Sequence, residues 1–150
     1  MINNYIFDVW IDNSGFGGVK DRVLRTIRIP ETKTLYFFAK IITRAFEFNF
    51  DHCFGFFNNL NNCYKSTRCY ELFSDIGEGS GTPSSKSVKR TAVGEAFEKP
   101  GDKMLFLFDY GDEWRFIVEL KEMADLEKKN SKSAVLKCAG KAPDQYPEEE

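Results

Sequence analysis

The sequence predicts an α+β domain, and three observations carry that reading. Residues 103–120, KMLFLFDYGDEWRFIVEL, hold two strand-like runs on either side of Gly111-Asp112, a pair suited to a hairpin turn. Residues 5–12 and 22–29 alternate apolar and polar positions with the period of two that marks half-buried strands. Residues 35–47 repeat instead at helical spacing, with one narrow polar stripe. With 150 residues, 42% hydrophobic and 15% aromatic, the chain can build one core and is short for two, so residues 1–150 are read as a single domain.

In the first strand Tyr5, Phe7, Val9 and Ile11 share a side, opposite Ile6, Asp8, Trp10 and Asp12. Residues 13–21, NSGFGGVKD, read as a glycine-rich loop, and residues 22–29 as a second strand, antiparallel to the first and ended by Pro30. Arg25 falls in the row of Val23, Ile27 and Ile29, which is otherwise expected to face the core. Thr32 or Thr34 is placed to cap a helix over residues 35–47. Its wet stripe is Lys40, Thr43, Arg44 and Glu47, and the other faces are apolar, so the helix is expected to lie in a concave sheet.

Residues 50–59 and 67–73 read as further strands. Residues 74–90, SDIGEGSGTPSSKSVKR, lack periodicity and read as a long flexible loop. Its GEGSG lacks the lysine-serine ending of a P-loop. The basic end of that loop, Lys86, Lys89 and Arg90, is the segment suited to an anionic partner, although a solvated charge cluster would look the same. Residues 91–97 allow one or two helical turns, residues 121–132 carry no core pattern, and residues 139–150 read as an extended tail after a short apolar run.

A two-residue turn at Gly111-Asp112 would set Tyr110 opposite Glu113, Asp109 opposite Trp114, Leu107 opposite Phe116 and Leu105 opposite Val118. That register leaves Asp109 as the one charge on an apolar face, where a carboxylate needs a partner. Arg25 is the expected partner, because an arginine fork binds a carboxylate through two parallel hydrogen bonds.

The composition narrows the function classes. A net charge of −2 argues against a generic phosphate-backbone binder while leaving room for a local basic patch. No run approaches the roughly 18–20 apolar residues of a membrane span, and the start MINNYIFDVWID has no signal-peptide pattern, so a soluble, cytoplasmic protein without a membrane partner is expected. Cys53, Cys63, Cys69 and Cys138 form no CxxC pair and are expected to be reduced, buried thiols, with no metal site and no cofactor. His52 is the only histidine, so any histidine-dependent catalytic set must pass through it; a lone histidine at a strand start is more often structural.

The segment Arg25-Thr26-Ile27-Arg28-Ile29-Pro30 followed by Thr34-Leu35, the His52 segment, the run Phe108 to Trp114 and the late Gly140-Lys141-Ala142-Pro143 together resemble the plasmid pRiA4b Orf-three-like family. The resemblance spans most of the chain and implies a curved, mostly antiparallel sheet packed around one main helix. It implies little about activity, since some members are labelled resolvase-like or occur with mobile elements without an established chemistry. Many relatives carry a histidine where this chain has Phe116, and an acidic, cysteine- and glycine-containing end where this chain has Asp144-Gln145-Tyr146-Pro147, so no role for that histidine transfers.

Two function classes follow. The first is a non-catalytic binding or interaction module for a protein or nucleic-acid partner, with Arg25, Asp109, Asp112, Trp114, Lys86, Lys89 and Arg90 as candidate binding residues. The second is a hydrolase-like enzyme in which Asp109, Asp112 and Glu119 cluster with His52 to hold a divalent ion or activate water.

Overall fold

The computed structural model describes residues 3–12, 22–76, 85–125 and 132–146. The glycine-rich loop expected over 13–21 and residues 77–84 of the expected long loop lie outside the described residues. The described chain runs β1 (Asn3–Ile11), β2 (Leu24–Pro30), α1 (Leu35–Ala45), β3 (Phe54–Phe57), a 3-10 turn (Cys63–Lys65), β4 (Cys69–Glu71), α2 (Phe73–Ile76), β5 (Lys86–Ser87), α3 (Val93–Ala96), β6 (Lys103–Phe108), β7 (Trp114–Asp125) and β8 (Ala134–Ala139). The strands form one eight-stranded sheet in the order β5-β4-β3-β6-β7-β1-β2-β8. Every neighbouring pair is antiparallel except β4 and β5. The architecture is therefore an α+β mix with a single long helix.

The alternation read from β1 and β2 is observed. Tyr5, Phe7, Val9 and Ile11 are buried, as are Val23, Arg25, Ile27 and Ile29, and the two strands pair with Tyr5 opposite Ile29 and Val9 opposite Arg25. Helix α1 starts where Thr34 Oγ1 accepts the Phe37 amide at 3.1 Å. It ends with Glu47 in the left-handed region (φ 62°), where the Phe48 amide reaches Thr43 O at 2.8 Å and the Glu47 amide reaches Arg44 O at 3.0 Å. This double closure satisfies carbonyls that the last turn would otherwise leave open. Leu35, Phe38, Ala39 and Ile42 are buried against the sheet, with Phe38 at 4.6 Å from Phe7 and Phe46 at 4.9 Å from Phe116 between ring centroids. The polar stripe is narrower than the spacing predicts, because Thr43 is fully buried. Its hydroxyl donates to Lys40 O at 3.0 Å within the helix, so it reaches the core side already hydrogen-bonded.

The hairpin register differs from the sequence reading by one residue. Phe108 pairs with Trp114, Phe106 with Phe116 and Met104 with Val118, leaving a five-residue turn from Asp109 to Glu113. The cause is Asp109. Its backbone is left-handed (φ 67°), as is that of Glu113 (φ 53°), and its Oδ1 accepts the amides of Gly111 at 3.0 Å and Asp112 at 3.3 Å. A carboxylate that caps its own turn removes the need for a positive φ at Gly111. The one-residue slip reverses the facing of each pair. Met104, Phe106 and Phe108 share the α1 side with Phe116 and Val118, while Leu105, Leu107 and Ile117 join Phe57, Cys63 and Cys69 in a smaller cluster on the opposite face.

Elsewhere β3 and β4 are shorter than the expected spans, and the 74–90 stretch contributes one turn of helix and a two-residue parallel strand. The charged residues 121–125 continue β7, paired with Asn3 to Ile6 of β1. Cys63 and Cys69 are buried, Cys53 is half-buried and Cys138 is exposed, which departs from the expectation of four buried thiols. Among the described residues no helix is long and apolar enough to cross a membrane.

Candidate functional site

The expected Arg25–Asp109 pair does not form. Arg25, 4% exposed, donates from Nε to Ala45 O at 2.8 Å and from Nη1 to Leu24 O, Ala139 O and Gly140 O at 2.9–3.1 Å. Its guanidinium also lies 5.1 Å from the Phe46 ring centroid. Four carbonyls thus take the role assigned to a carboxylate, and Arg25 ties the end of α1 to β2 and to the end of β8. Asp109 has its Oδ1 bonded by its own turn, and its Oδ2 faces His52.

His52 gathers a different set of partners. Its Nε2 lies 2.6 Å from the Tyr146 hydroxyl, 3.4 Å from Asp109 Oδ2 and 3.6 Å from Asp51 Oδ1. Tyr146 donates to Asp51 Oδ2 at 2.6 Å, so its oxygen accepts from His52, and Nε2 carries the proton. Gln145 completes the fastening, accepting the Asn49 amide at 2.7 Å and donating to Asn49 O and Asp51 Oδ1 at 3.2 and 3.1 Å. The Tyr146 hydroxyl holds the Asp51 carboxyl below its usual range, and that same bond, aided by the surrounding carboxylates, pushes Tyr146 up to about 12. A segment with no regular secondary structure is thereby pinned beside the hairpin turn. Asp51, Gln145 and Tyr146 are missed by sequence reasoning because the contacts join positions more than ninety residues apart, with no local pattern to mark them.

The other candidates do not converge on His52. Asp112 is exposed in the turn, and Glu119 sits opposite Lys103, five pairs along the ribbon from Trp114, roughly 16 Å at strand rise. Glu119 meets Lys121 at 3.8 Å. Trp114 is half-buried and packs edge-on against Phe48 at 4.8 Å. Among the described residues no group of three histidine, cysteine, aspartate or glutamate side chains is arranged to hold a metal ion.

A separate groove of about 590 Å³ opens between the outer face of α1 and β8. Among the described residues Lys33, Lys40, Arg44 and Lys132 line it, and no carboxylate does. Phe37, Ile41, Ala45, Ala134 and Val135 supply an apolar floor, and the buried Ser133 Oγ on its wall bonds no group among the described residues. The basic loop end adjoins it, since Lys89 and Lys40 lie 5.0 and 6.0 Å from the centroid of the same ring, Tyr36. Lys86 and Arg90 are exposed beside it in sequence. Lys40 and Arg44 belong to the polar stripe read from the sequence, but Lys33 lies before the helix and outside that stripe, and Lys132 arrives through β8, whose place at the sheet edge no local pattern gives.

Comparison with known proteins agrees with this architecture. A solved structure described as a protein of unknown function, MM3350 from Methanosarcina mazei Go1, superposes with a TM-score of 0.71 at 18% identity, covering 92% of this chain and 70% of that one. That likeness is one of fold. No curated protein matches the chain. The family model described as plasmid pRiA4b ORF-3-like protein matches residues 15–148. The chain belongs to the plasmid pRiA4b ORF-3-like family.

Proposed function

We propose that this chain is a non-catalytic binding module that takes an anionic partner on the groove between α1 and β8. The observation that carries the reading is the lining of that groove: among the described residues, four cations and no carboxylate, in a chain whose net charge is −2. Segregating positive charge onto one face of an acidic protein creates a local field that attracts and orients a negative partner. Lys89, across Tyr36 from Lys40, extends the positive face beyond the groove. The mobile-element association suggested by the family resemblance fits such a module.

The hydrolase-like alternative, with Asp109, Asp112 and Glu119 around His52, ranks second. In its favour Asp109 Oδ2 lies 3.4 Å from His52 Nε2 with Arg25 elsewhere, but the reading needs carboxylates that share a centre, and Asp109 Oδ1 is held by its own turn, Asp112 is exposed and Glu119 lies far along the ribbon. The His52 Nε2 proton is likewise committed to the Tyr146 oxygen.

Fluorescence anisotropy with labelled polyglutamate and with a labelled single-stranded oligonucleotide tests the proposal. Saturable binding of at least one probe that weakens with salt, and weakens about tenfold or more in Lys40→Glu/Arg44→Glu, supports it. Both side chains are exposed, so the doubly reversed protein is expected to melt normally. Binding of neither probe, or binding indifferent to the reversal, overturns it.

A further inference from the structure

We infer that the occupant of this groove is an extended acidic peptide of a partner protein, adding as a strand to the free edge of β8. The inference rests on the binding reading above and narrows it from an anion to one class of partner. Its first support is topological. Strand β8 ends the sheet, and its far edge pairs with no strand among the described residues. The start of that strand, Ala134 and Val135, lines the groove, so a chain lying along β8 would reach the groove while its backbone completes hydrogen bonds that β8 leaves open.

The second support is the chemistry of the lining. Along an added strand side chains alternate between two faces, and the face turned to α1 meets Phe37, Ile41 and Val135. Val135 is 42% exposed, so apolar surface stands uncovered at the position such a strand would shield. Around this floor Lys33, Lys40, Arg44 and Lys132 wait for carboxylates. An acidic peptide with alternating apolar residues satisfies both sets at once. A single nucleic-acid strand satisfies the cations but needs flat rings to stack its bases, and among the described residues Phe37 is the one aromatic residue in the lining.

The same features act against a second copy. Pairing β8 with β8 would bring Lys132 and Lys137 of one molecule against the like charges of another. The ladder between β2 and β8 also shifts register between Thr26 and Ile27, leaving Leu136 as the extra residue on β8, and such an irregularity discourages indiscriminate edge pairing. Lysines that repel a copy of the chain attract an acidic strand, so one set of charges supplies both selection and rejection.

The test uses the full chain and four labelled probes: a peptide of β8 length alternating glutamate with valine, the same peptide N-methylated at alternate residues in each of the two registers, and a single-stranded oligonucleotide. N-methylation removes donors from one edge of the peptide and leaves its charge intact. The alternating peptide is expected to bind saturably, to lose about tenfold or more in affinity on N-methylation of its pairing edge, and to slow amide exchange within 134–139. Both N-methylation registers are made, so that one of them blocks the pairing edge. Equal binding by both N-methylated forms, or unchanged exchange in β8, overturns strand addition while leaving an anion-binding groove. Binding of the oligonucleotide but not the peptide, through Lys40 and Arg44, does the same. Binding of no probe removes both readings.

Discussion

Replacing Arg25 with methionine is expected to destabilise the protein by about 3 kcal/mol, because it strands carbonyl oxygens rather than breaking an ion pair. Methionine fills a similar volume, so loss of packing contributes little. The guanidinium meets Ala45 O at 2.8 Å, Ala139 O at 3.1 Å and Gly140 O at 3.1 Å, all on segments other than its own strand. Each buried acceptor left open costs about 1–3 kcal/mol. Gly140 is exposed and water can replace the lost bond there, leaving Ala45 and Ala139 to carry most of the effect. Urea unfolding followed by far-ultraviolet circular dichroism reads the change. With a slope of about 2 kcal/mol per molar urea, the midpoint falls by about 1.5 M. Lysine at this position is expected to recover only part of the loss, since a point donor cannot reach three carbonyls held in a fixed fork. A loss below about 1 kcal/mol in Arg25→Met would refute the reasoning, for it would mean that the carbonyls find other partners.

The remaining predictions concern the helix and the fastened segment. Ile42→Ala empties a fully buried site and should cost about 2–5 kcal/mol in the same assay; less than about 1 kcal/mol would place that face outside the core. Glu47→Gly should stabilise by up to about 1 kcal/mol, because Glu47 holds φ 62° where glycine meets no Cβ penalty, and a measured loss would show that the side chain makes a compensating contact. Tyrosinate absorbance, taken as the difference between the unmodified protein and Tyr146→Phe, should show Tyr146 titrating near 12, with Asp51→Asn moving it back toward 10.0; an unmoved midpoint would mean that the bond to Asp51 is not made. The raised value favours the neutral phenol in the folded state, so its contribution to stability is complete below the ordinary 10.0 and is lost as pH rises toward about 12. Asp51 works in the opposite sense: its contribution is complete above the ordinary 3.8 and is lost as pH falls through the lowered value.

What was legible in the sequence is what local periodicity encodes. Strands β1 and β2 and helix α1 bury one face each, so their patterns name both the element and its inward side. The hairpin was legible as an element but not in register, because Asp109 bonds its own turn with its side chain, and a glycine-aspartate pair invites the shorter loop. Residues 121–125 hide a strand because backbone pairing to Asn3–Ile6 demands no apolar face. The fastening of Asp51, His52, Gln145 and Tyr146 and the meeting of Lys132 with Lys40 and Arg44 are products of topology, beyond the reach of any window on the sequence.

The groove between α1 and β8 competes for a ligand with a more polar hollow of about 660 Å³, lined by Glu47, Asn49, Lys141, Asp144, Gln145 and Tyr146. A nitrogen-proton correlation spectrum recorded during titration with the alternating acidic peptide separates them directly. The account predicts that the largest shifts fall on residues 33–45 and 132–137, vanish in Lys40→Glu/Arg44→Glu, and leave residues 49–52 and 141–146 in place. Shifts centred on His52, Tyr146 and their neighbours, with the α1–β8 groove unmoved, would contradict it.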